Sequence, residues 1–140
     1  MTMRLEVTRR SELAVRALGV LSSSGERIKA PALARALGAT VAFVPQVMGP
    51  LVKAGWVRSD PGPAGGYTLL SDLGAISVLQ VVEAIDGVVD DGRCVVETRA
   101  CDASAPCVMH VAWSAARSEL VRVLGELPLS KLPLAAQDRS

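Results

Sequence analysis

Aromatic residues, histidine and long apolar runs are scarce or absent in this sequence. Only four of the 140 residues are aromatic although half are hydrophobic, so alanine, valine and leucine must fill the core, and this composition favours helices. No run approaches the roughly 18 consecutive apolar residues of a transmembrane helix, which excludes a membrane span of that kind. The charged stretch at residues 1–12 lacks the apolar segment of a signal peptide, and we expect a cytoplasmic protein.

Catalytic motifs are also missing. The chain has one histidine, and it contains no Ser-His-Asp pattern, no P-loop and no Gly-x-Gly-x-x-Gly sequence, so we do not expect an enzyme. A chain of 140 residues forms one domain, or one small domain with an appended element. Because a core of this size is only marginally buried in a monomer, we expect a homodimer.

Charge is divided unevenly along the chain, although the net charge is only +1. Residues 1–75 contain nine Lys and Arg against five Asp and Glu, and residues 76–140 contain six against nine. The first part therefore carries +4 and the second −3. The N-terminal half is the one suited to a polyanion such as DNA.

Three helices are predicted in the N-terminal part of the chain. Ser11 is the expected N-cap of the first helix, which ends near Gly25. A short second helix occupies Pro31–Gly38. The third covers Thr40–Ala54, and Pro50 is expected to kink it or to divide it in two. Two helices separated by about three residues have the spacing of a helix-turn-helix.

The next segment predicts a β-hairpin. Extended runs at 56–59 and 67–70 enclose a turn at 60–66 that is rich in glycine and proline. A hairpin directly after a helix-turn-helix is a wing. An amphipathic helix follows, with Ser77 as its N-cap and an end near Gly87.

A long C-terminal helix is predicted at about Ser104–Leu124, after a segment without periodicity. The expected fold class is therefore mainly α: a winged helix-turn-helix, with three helices and a β-hairpin wing, and a long C-terminal dimerisation helix. The DNA-binding domain occupies 1–75. A helix, the cysteine-bearing segment and the dimerisation helix occupy 76–127, and a frayed or loosely packed C-terminal tail occupies 128–140.

The start of the third helix is the predicted base-reading element, because the second helix of such a pair enters the major groove N-terminus first. Gln46 suits an adenine edge, Thr40 suits a phosphate or a base, and Ala42 or Phe43 suits a thymine methyl. Ordinary surface and core roles are the alternative for Phe43 and Gln46. The candidates for phosphate contacts are Arg35, Lys53 and Arg58.

Cys94, Cys101 and Cys107 lie within 14 residues. In a reducing compartment, their odd number and close spacing favour metal or redox chemistry over a structural disulfide. His110 follows Cys107 by three residues, about one helical turn, so both side chains can face one metal. Three thiolates and one further ligand suit an iron–sulfur cluster or a Cys3His zinc site, and the C-x6-C-x5-C spacing is wider than that of zinc-binding pairs.

Two stretches of this sequence resemble the Rrf-two family of bacterial regulators, which includes the IscR and NsrR types. The first is Pro50–Ser59 followed by the wing sequence Gly-Pro-Ala-Gly-Gly-Tyr-Thr-Leu at 62–69, and the second is Ile76–Gly87. Cysteines just before a long helix complete the pattern, which covers about residues 3–127. The resemblance implies the same winged fold and a role in transcription.

The wing motif has a physical reason in its glycines. Gly62, Gly65 and Gly66 permit positive φ and a close approach of the backbone to the DNA groove, and Tyr67 can anchor the hairpin against the helices. Members of the family usually have a basic residue just before the first wing glycine. This chain has Asp60 and Pro61 there, and Asp60 is expected to repel phosphate.

The resemblance also implies that the cysteine segment binds a 2Fe–2S or 4Fe–4S cluster through three cysteines and a fourth ligand that differs among members. The commonest family interval is C-x5-C-x5-C, so this chain has one extra residue between Cys94 and Cys101. His110 matches the histidine of the IscR type. Glu12 matches the place where the NsrR type supplies a carboxylate from the partner subunit, and His110 is slightly preferred.

The predicted function is a transcriptional repressor that binds a pseudo-palindromic DNA operator as a homodimer. A cluster that senses redox state, nitric oxide or iron–sulfur status would set the affinity, because the segment 88–107 joins the helix after the wing to the dimer helix. One alternative replaces the cluster with zinc or a thiol–disulfide switch. The other is an iron–sulfur accessory protein without a DNA role.

Overall fold

The computed structural model describes residues 7–88 and 108–134. Within these ranges there are five α-helices and one two-stranded antiparallel sheet, in the order predicted for a mainly α winged helix-turn-helix with a long C-terminal helix, and that fold class is confirmed. The elements are α1 (Arg9–Ser24), α2 (Ala30–Leu37), α3 (Val44–Lys53), β1 (Val57–Asp60), β2 (Gly66–Leu69), α4 (Val78–Asp86) and α5 (His110–Glu126). Short 3₁₀ turns occur at Val41–Phe43, Leu73–Ala75 and Leu129–Lys131.

Helix α1 begins earlier than the sequence predicted. Its N-cap is Thr8, whose Oγ1 accepts a hydrogen bond from the backbone N–H of Ser11 at 3.1 Å. Ser11 was the predicted cap, and that prediction is wrong because the residue lies inside the first turn, fully buried, with its hydroxyl bonded to Asp86. Serine and threonine are both good caps, so the tertiary bond decides between them. The predicted end is confirmed, since Gly25 adopts a φ of 68°.

Helices α2 and α3 form the helix-turn-helix. Gly38 ends α2 in the left-handed conformation, as predicted. The third helix is divided in two, but at a different place from the one expected: a 3₁₀ turn at 41–43 precedes α3, and Pro50 lies inside a continuous α3. The carbonyl that Pro50 leaves without an N–H partner belongs to Gln46, an exposed residue, so water can satisfy it.

Strands β1 and β2 form the wing, with Val57 opposite Leu69 and Asp60 opposite Gly66. Each strand is displaced by one residue from its predicted position. Ile28 adds a third row by an antiparallel bridge to Tyr67, through backbone hydrogen bonds of 2.8 and 2.9 Å. The chain just before α2 is therefore part of the wing.

Aliphatic side chains from α1, α2, α3 and α4 fill the core, as the low aromatic content predicted. The aromatic residues Phe43, Trp56 and Tyr67 are only partly buried and pack against its edge. The largest fully buried side chains include Leu13, Leu18, Leu21, Leu33, Leu37, Met48, Leu51, Ile76 and Leu129.

The C-terminal part differs from its prediction at both ends. Helix α5 begins at His110 after a turn at 108–109, instead of running on from about Ser104, and residues 104–107 lie outside the described part of the chain. The expectation of a frayed tail from residue 128 is wrong for the described residues 128–134. Leu129 is completely buried, and a Cβ on Gly19 of α1 would come within 2.9 Å of the Cβ of Leu134.

Candidate nucleic-acid interface and cysteine segment

The N-terminal end of the recognition helix presents polar and small side chains to solvent. Thr40 precedes the 3₁₀ turn, Ala42 lies within it, and Gln46 lies in the first turn of α3; all three are exposed. Phe43 is partly buried and packs against the core. The structure thus leaves three of the four predicted base-reading residues accessible and gives Phe43 a packing contact as well.

The predicted phosphate-contacting residues are all exposed but belong to different elements. Arg35 lies in the last turn of α2 and Lys53 in the last turn of α3. Arg58 lies on β1, with its side chain 61% exposed. These placements suit positioning contacts around a duplex, because such contacts need reach and positive charge but no base edge.

The glycines of the wing are constrained in different ways. Gly62 has a φ of 88°, a conformation that L side chains rarely adopt. At Gly65, a Cβ would lie only 1.9 Å from the carbonyl oxygen of Asp60. At Gly66, it would lie 2.6 Å from the carbonyl oxygen of Ile28. Gly65 and Gly66 are therefore required by the close packing of the hairpin, and Gly62 by its backbone conformation.

Tyr67 connects the wing to the body of the domain. Its backbone pairs with both Ile28 and Ser59, and its ring packs against the core. Partial burial raises the pKa of its phenol, because the phenolate would lose hydration there. This position agrees with the anchoring role expected from the sequence. A cleft of about 370 Å³ separates the start of α2 from the wing, between Pro31 and Pro61.

Asp60 is paired with two arginines, which alters the expectation that it repels phosphate. Its Oδ2 accepts hydrogen bonds from Nε and Nη2 of Arg58 at 3.2 and 3.1 Å. The same oxygen lies 3.9 Å from Nη1 of Arg27. Sequence reasoning missed Arg27, because nothing in the local pattern of residues 25–29 shows that this segment pairs with the wing.

A hydrogen-bonded clamp joins the start of α1 to the end of α4. Thr8 Oγ1 donates to both carboxylate oxygens of Asp86, at 3.0 and 2.8 Å, and Ser11 Oγ donates to Oδ2 at 2.6 Å. Arg10 Nη2 adds a bond of 2.5 Å to the backbone carbonyl of Ile85. The N-terminal end of a helix favours a carboxylate, so α1 is a suitable partner for Asp86. We call these residues the α1–α4 clamp.

The clamp lies next to the cysteine segment in sequence. Asp86 is the last residue of α4, and residues 89–107, with Cys94, Cys101 and Cys107, lie outside the described residues. The two candidate fourth ligands are described. Glu12 lies in the first turn of α1, and His110 is the first residue of α5; both are partly buried. Among the residues that the structure describes, no three His, Cys, Asp or Glu side chains form a metal-binding group.

Helix α5 exposes apolar residues together with a charged network. Val111 is 81% exposed and Val123 45%, and the alanines at 112, 115 and 116 are also exposed. Arg122 bonds to Glu119 and, at 3.0 Å, to Glu126. The hydrogen bond from Arg122 lowers the pKa of Glu119. The exposed side of the helix therefore combines apolar residues with this charged network, and no described residue covers it.

The sequence of this chain matches the model of one protein family. The profile of the Rrf2 family, described as an iron-dependent transcriptional regulator, matches residues 7–133. The chain belongs to the Rrf2 family. That family is described as one of transcriptional regulators, and the winged-helix fold of this chain agrees with the membership, which favours the regulator over the accessory-protein alternative.

Individual members of the Rrf2 family are similar to this chain over a limited length. The HTH-type transcriptional regulator IscR of Xenorhabdus nematophila is 34% identical over 95 residues, which are 68% of this chain and 57% of that protein. IscR of Klebsiella pneumoniae has the same identity over 95 residues, 68% of this chain and 58% of that protein. The chain thus matches less than two thirds of the length of these relatives.

Solved Rrf2-type structures share the fold at lower identity. CymR of B. subtilis, described as a global cysteine regulator, has a TM-score of 0.73 and 19% identity, and covers 91% of this chain and 95% of its own. IscR of T. potens has a TM-score of 0.68 and 22% identity, and the match covers 91% of this chain and 85% of that one.

Among the described residues no single helix is long and apolar enough to cross a membrane. Only α2 and the segment Val41–Lys53 reach that length and composition together, and they are bent by 101° with respect to each other.

Proposed function

We propose that this Rrf2-family regulator is a cytoplasmic repressor that binds a pseudo-palindromic operator as a homodimer, and that an iron–sulfur cluster sets its affinity. The observation that carries the proposal is the α1–α4 clamp. It fastens the end of the helix that leads into the cysteine segment to α1, and α1 packs against the helix-turn-helix. A change in the cysteine segment therefore has a short path of contacts to the DNA-binding surface.

DNA binding uses two surfaces on the described residues. The start of α3 brings Gln46 and Thr40 to the major groove, and Ala42 lies where a thymine methyl can be contacted. Arg35 and Lys53 contact phosphates on either side and fix the register. The wing, with Gly62 at its turn, approaches the backbone beside the groove.

Dimerisation through α5 explains why its apolar side chains are exposed. Ala112 and Ala116 are one helical turn apart, and Val123 is two turns further on, so the three lie along one side of the helix. Alanine and valine permit close packing of two helices. Glu119, one turn before Val123, lies on the same side, so its ion pair with Arg122 would border the contact.

The donor set fits an iron–sulfur cluster. Three cysteine thiolates with one imidazole or carboxylate satisfy the ligation that such clusters need, and the residues that would hold it are Cys94, Cys101, Cys107 and either His110 or the partner subunit's Glu12. When bound, the cluster supplies a centre that reacts with oxidants and nitric oxide. His110 begins α5 and Glu12 lies in the first turn of α1, so the choice of fourth ligand decides whether the dimer helix or the DNA-binding domain is restrained directly.

The same regulator with a thiol–disulfide switch, or with zinc, is the second candidate. The fold resemblance to CymR of Staphylococcus aureus in an oxidised form, with a TM-score of 0.69 and 20% identity, is the observation that favours it. Three closely spaced cysteines provide both a reactive thiol and a resolving one. This candidate keeps the DNA-binding surface and the clamp and changes only the chemistry of the segment.

One anaerobic preparation distinguishes the two candidates. We expect wild-type protein to be coloured and to contain iron and acid-labile sulfide. Cys101→Ala should lose both, whereas Ser130→Ala, an exposed serine in the C-terminal turn, should retain both. Colourless wild-type protein without iron would favour the zinc or thiol switch. His110→Ala and Glu12→Ala identify the fourth ligand by which of them lowers the iron content.

Operator affinity tests the regulatory part of the proposal. An operator selected from a random duplex library is titrated with cluster-loaded and cluster-free protein at one fixed salt concentration, because phosphate contacts make any affinity salt-dependent. We expect the two forms to differ by at least about tenfold, a coupling free energy of about 1.4 kcal/mol. Equal affinities would show that the cysteine segment does not control DNA binding.

A further inference from the structure

The solvent face of the wing carries a charged triad. Asp60 contacts Arg58 at 3.1 Å and Arg27 at 3.9 Å, and all of these contacts converge on one carboxylate oxygen, Oδ2. The side chains are exposed by 47% for Arg27, 61% for Arg58 and 30% for Asp60. Both guanidinium groups therefore keep donors that are available to another anion, since an arginine has five N–H donors.

The sheet register explains how these three residues meet. Ile28 pairs with Tyr67, and Tyr67 pairs with Ser59, so these three residues share one face of the hairpin. Ile28 and Tyr67 pack against the core from that face. Because side chains alternate along a strand, Arg27, Arg58 and Asp60 project from the opposite face. Arg27 reaches Asp60 across β2 at Gly66, where a Cβ would lie 3.0 Å from its Cγ. The absent side chain at Gly66 thus opens the path between the two rows.

We propose that Arg27 and Arg58 are the wing's ligands for DNA phosphate, and that Asp60 is a positioning residue that competes with phosphate for both guanidinium groups. The proposal rests on the proposed function, since it assumes that the chain binds duplex DNA. In free protein, Asp60 holds the two arginines on the outer face of the wing. On DNA, a phosphate oxygen replaces the shared Oδ2, so the wing contributes affinity only after an exchange of partners.

The strength of the pairing makes such an exchange feasible. Exposed ion pairs contribute only about 0–1 kcal/mol, because water and salt screen them. A duplex presents a dense row of phosphates, and each phosphate that an arginine neutralises releases counterions. The carboxylate remains next to the DNA after the exchange and repels it. Asp60 therefore lowers sequence-independent affinity, and operator recognition then depends more on α3.

The test measures binding of the full chain to mixed-sequence duplex DNA over a series of salt concentrations. No operator is needed, because the phosphate term is independent of sequence. Asp60→Asn keeps an oxygen acceptor but removes the charge. We expect it to bind about threefold to tenfold more tightly at low salt, with a steeper dependence of affinity on salt. Arg27→Gln and Arg58→Gln should each bind more weakly, with a salt slope reduced by about one.

Matched controls come from the C-terminal part of the chain, where Lys131 and Glu126 are exposed charges far from the wing in sequence. Glu126→Gln and Lys131→Gln should leave both affinity and slope unchanged, and sedimentation verifies that all variants have the wild-type oligomeric state. Unchanged or weaker binding by Asp60→Asn, or an unchanged slope for Arg27→Gln, would overturn the inference while wild-type binding still supports the proposed function. Wild-type protein without salt-sensitive DNA binding would overturn both.

Discussion

At the scale of single residues, the wing glycines show two different reasons why a position requires glycine. Gly62 is needed for its positive φ, whereas Gly65 is needed for space, because the nearest obstacle to a Cβ is the backbone of Asp60. A backbone obstacle does not move as a flexible side chain does. Replacement of Gly65 must therefore displace the hairpin itself.

Gly65→Ala should destabilise the protein by about 1–3 kcal/mol and weaken DNA binding, because the added methyl overlaps the carbonyl of Asp60. Chemical denaturation measures the first effect and DNA titration the second. Gly49→Ala is the matched control: Gly49 lies inside α3 with negative φ, and nothing lies within 4 Å of the added Cβ. This variant should gain about 0.5–1 kcal/mol. Equal stability of the two variants would contradict the steric argument.

Ionisation of Tyr67 makes the free energy of unfolding depend on pH in the alkaline range. Burial raises the pKa of its phenol in the folded state, while the unfolded chain keeps the ordinary value of about 10. Above a pH of about 10, the folded state therefore keeps the phenol proton that the unfolded state has lost. The contribution of Tyr67 to the free energy of unfolding is fully present below that pH, and it is lost as the pH rises through the pKa of the folded state. Tyr67→Phe has no phenol to ionise. Its unfolding free energy, measured by urea titration, should fall less than that of wild type between neutral and alkaline pH, and an identical fall would refute the assignment.

At the scale of elements, the sequence predicted what local signals control. Gly25 and Gly38 end their helices as expected, and Ser77 forms a full capping box with Gln80, with bonds of 2.8 and 3.1 Å. The errors occur where a distant partner decides. The buried hydroxyl of Ser11 donates a hydrogen bond to Asp86, 75 residues away, and Thr8 is therefore the N-cap of α1.

In the candidate site, too, the features set by local sequence were predicted, and those set by long-range contacts were not. The exposed end of α3 and the glycine-rich turn follow from helix-turn-helix spacing and turn chemistry. Arg27 does not, because its role depends on the bridge between Ile28 and Tyr67, which has no local signature. The burial of Leu129 was likewise missed, since only contact with Ile76 and the rest of the core shows that the tail is packed.

In the proposed homodimer, helix α5 is the element whose role depends most on a second copy of the chain. Ala116→Glu puts a charge in the middle of the exposed apolar side, and burying that charge in a helix pair would cost several kcal/mol. We expect the variant to sediment as a monomer at concentrations where wild type is a dimer, and to bind an operator at least tenfold more weakly. Ser118→Glu, which puts the same charge on an exposed residue about 160° around the helix from Ala116, should remain dimeric. A dimeric Ala116→Glu protein would place the interface elsewhere.

At the scale of the whole molecule, three parts are arranged in series. The proposed DNA-binding surface lies on α3 and the wing, the proposed dimer contact lies on α5, and the cysteine segment connects α4 to α5 in sequence. The opposite net charges of the two halves agree with this division, because only the N-terminal half has to approach a polyanion. Coupling between the parts requires an element that is fastened to both, and the α1–α4 clamp meets that requirement.

Asp86→Ala should uncouple the state of the cysteine segment from DNA binding. Loss of the carboxylate leaves the buried hydroxyl of Ser11 without its acceptor and should cost about 1–3 kcal/mol of unfolding free energy. Because Asp86 is not a proposed ligand, the iron content should stay at the wild-type level. The ratio of operator affinities between cluster-loaded and cluster-free protein should nevertheless fall toward one, because α4 no longer transmits a displacement to α1.

The fall in the affinity ratio of Asp86→Ala must be distinguished from the effect of a general loss of stability, and Asp72→Ala is the control. The side chain of Asp72 caps its own 3₁₀ turn through the backbone N–H of Gly74 at 2.9 Å, so its removal costs a similar amount without touching the clamp. This variant should keep the wild-type affinity ratio. If Asp86→Ala also keeps it, the signal must leave the cysteine segment by α5, and the geometry of the dimer rather than the clamp would set the spacing of the two recognition helices.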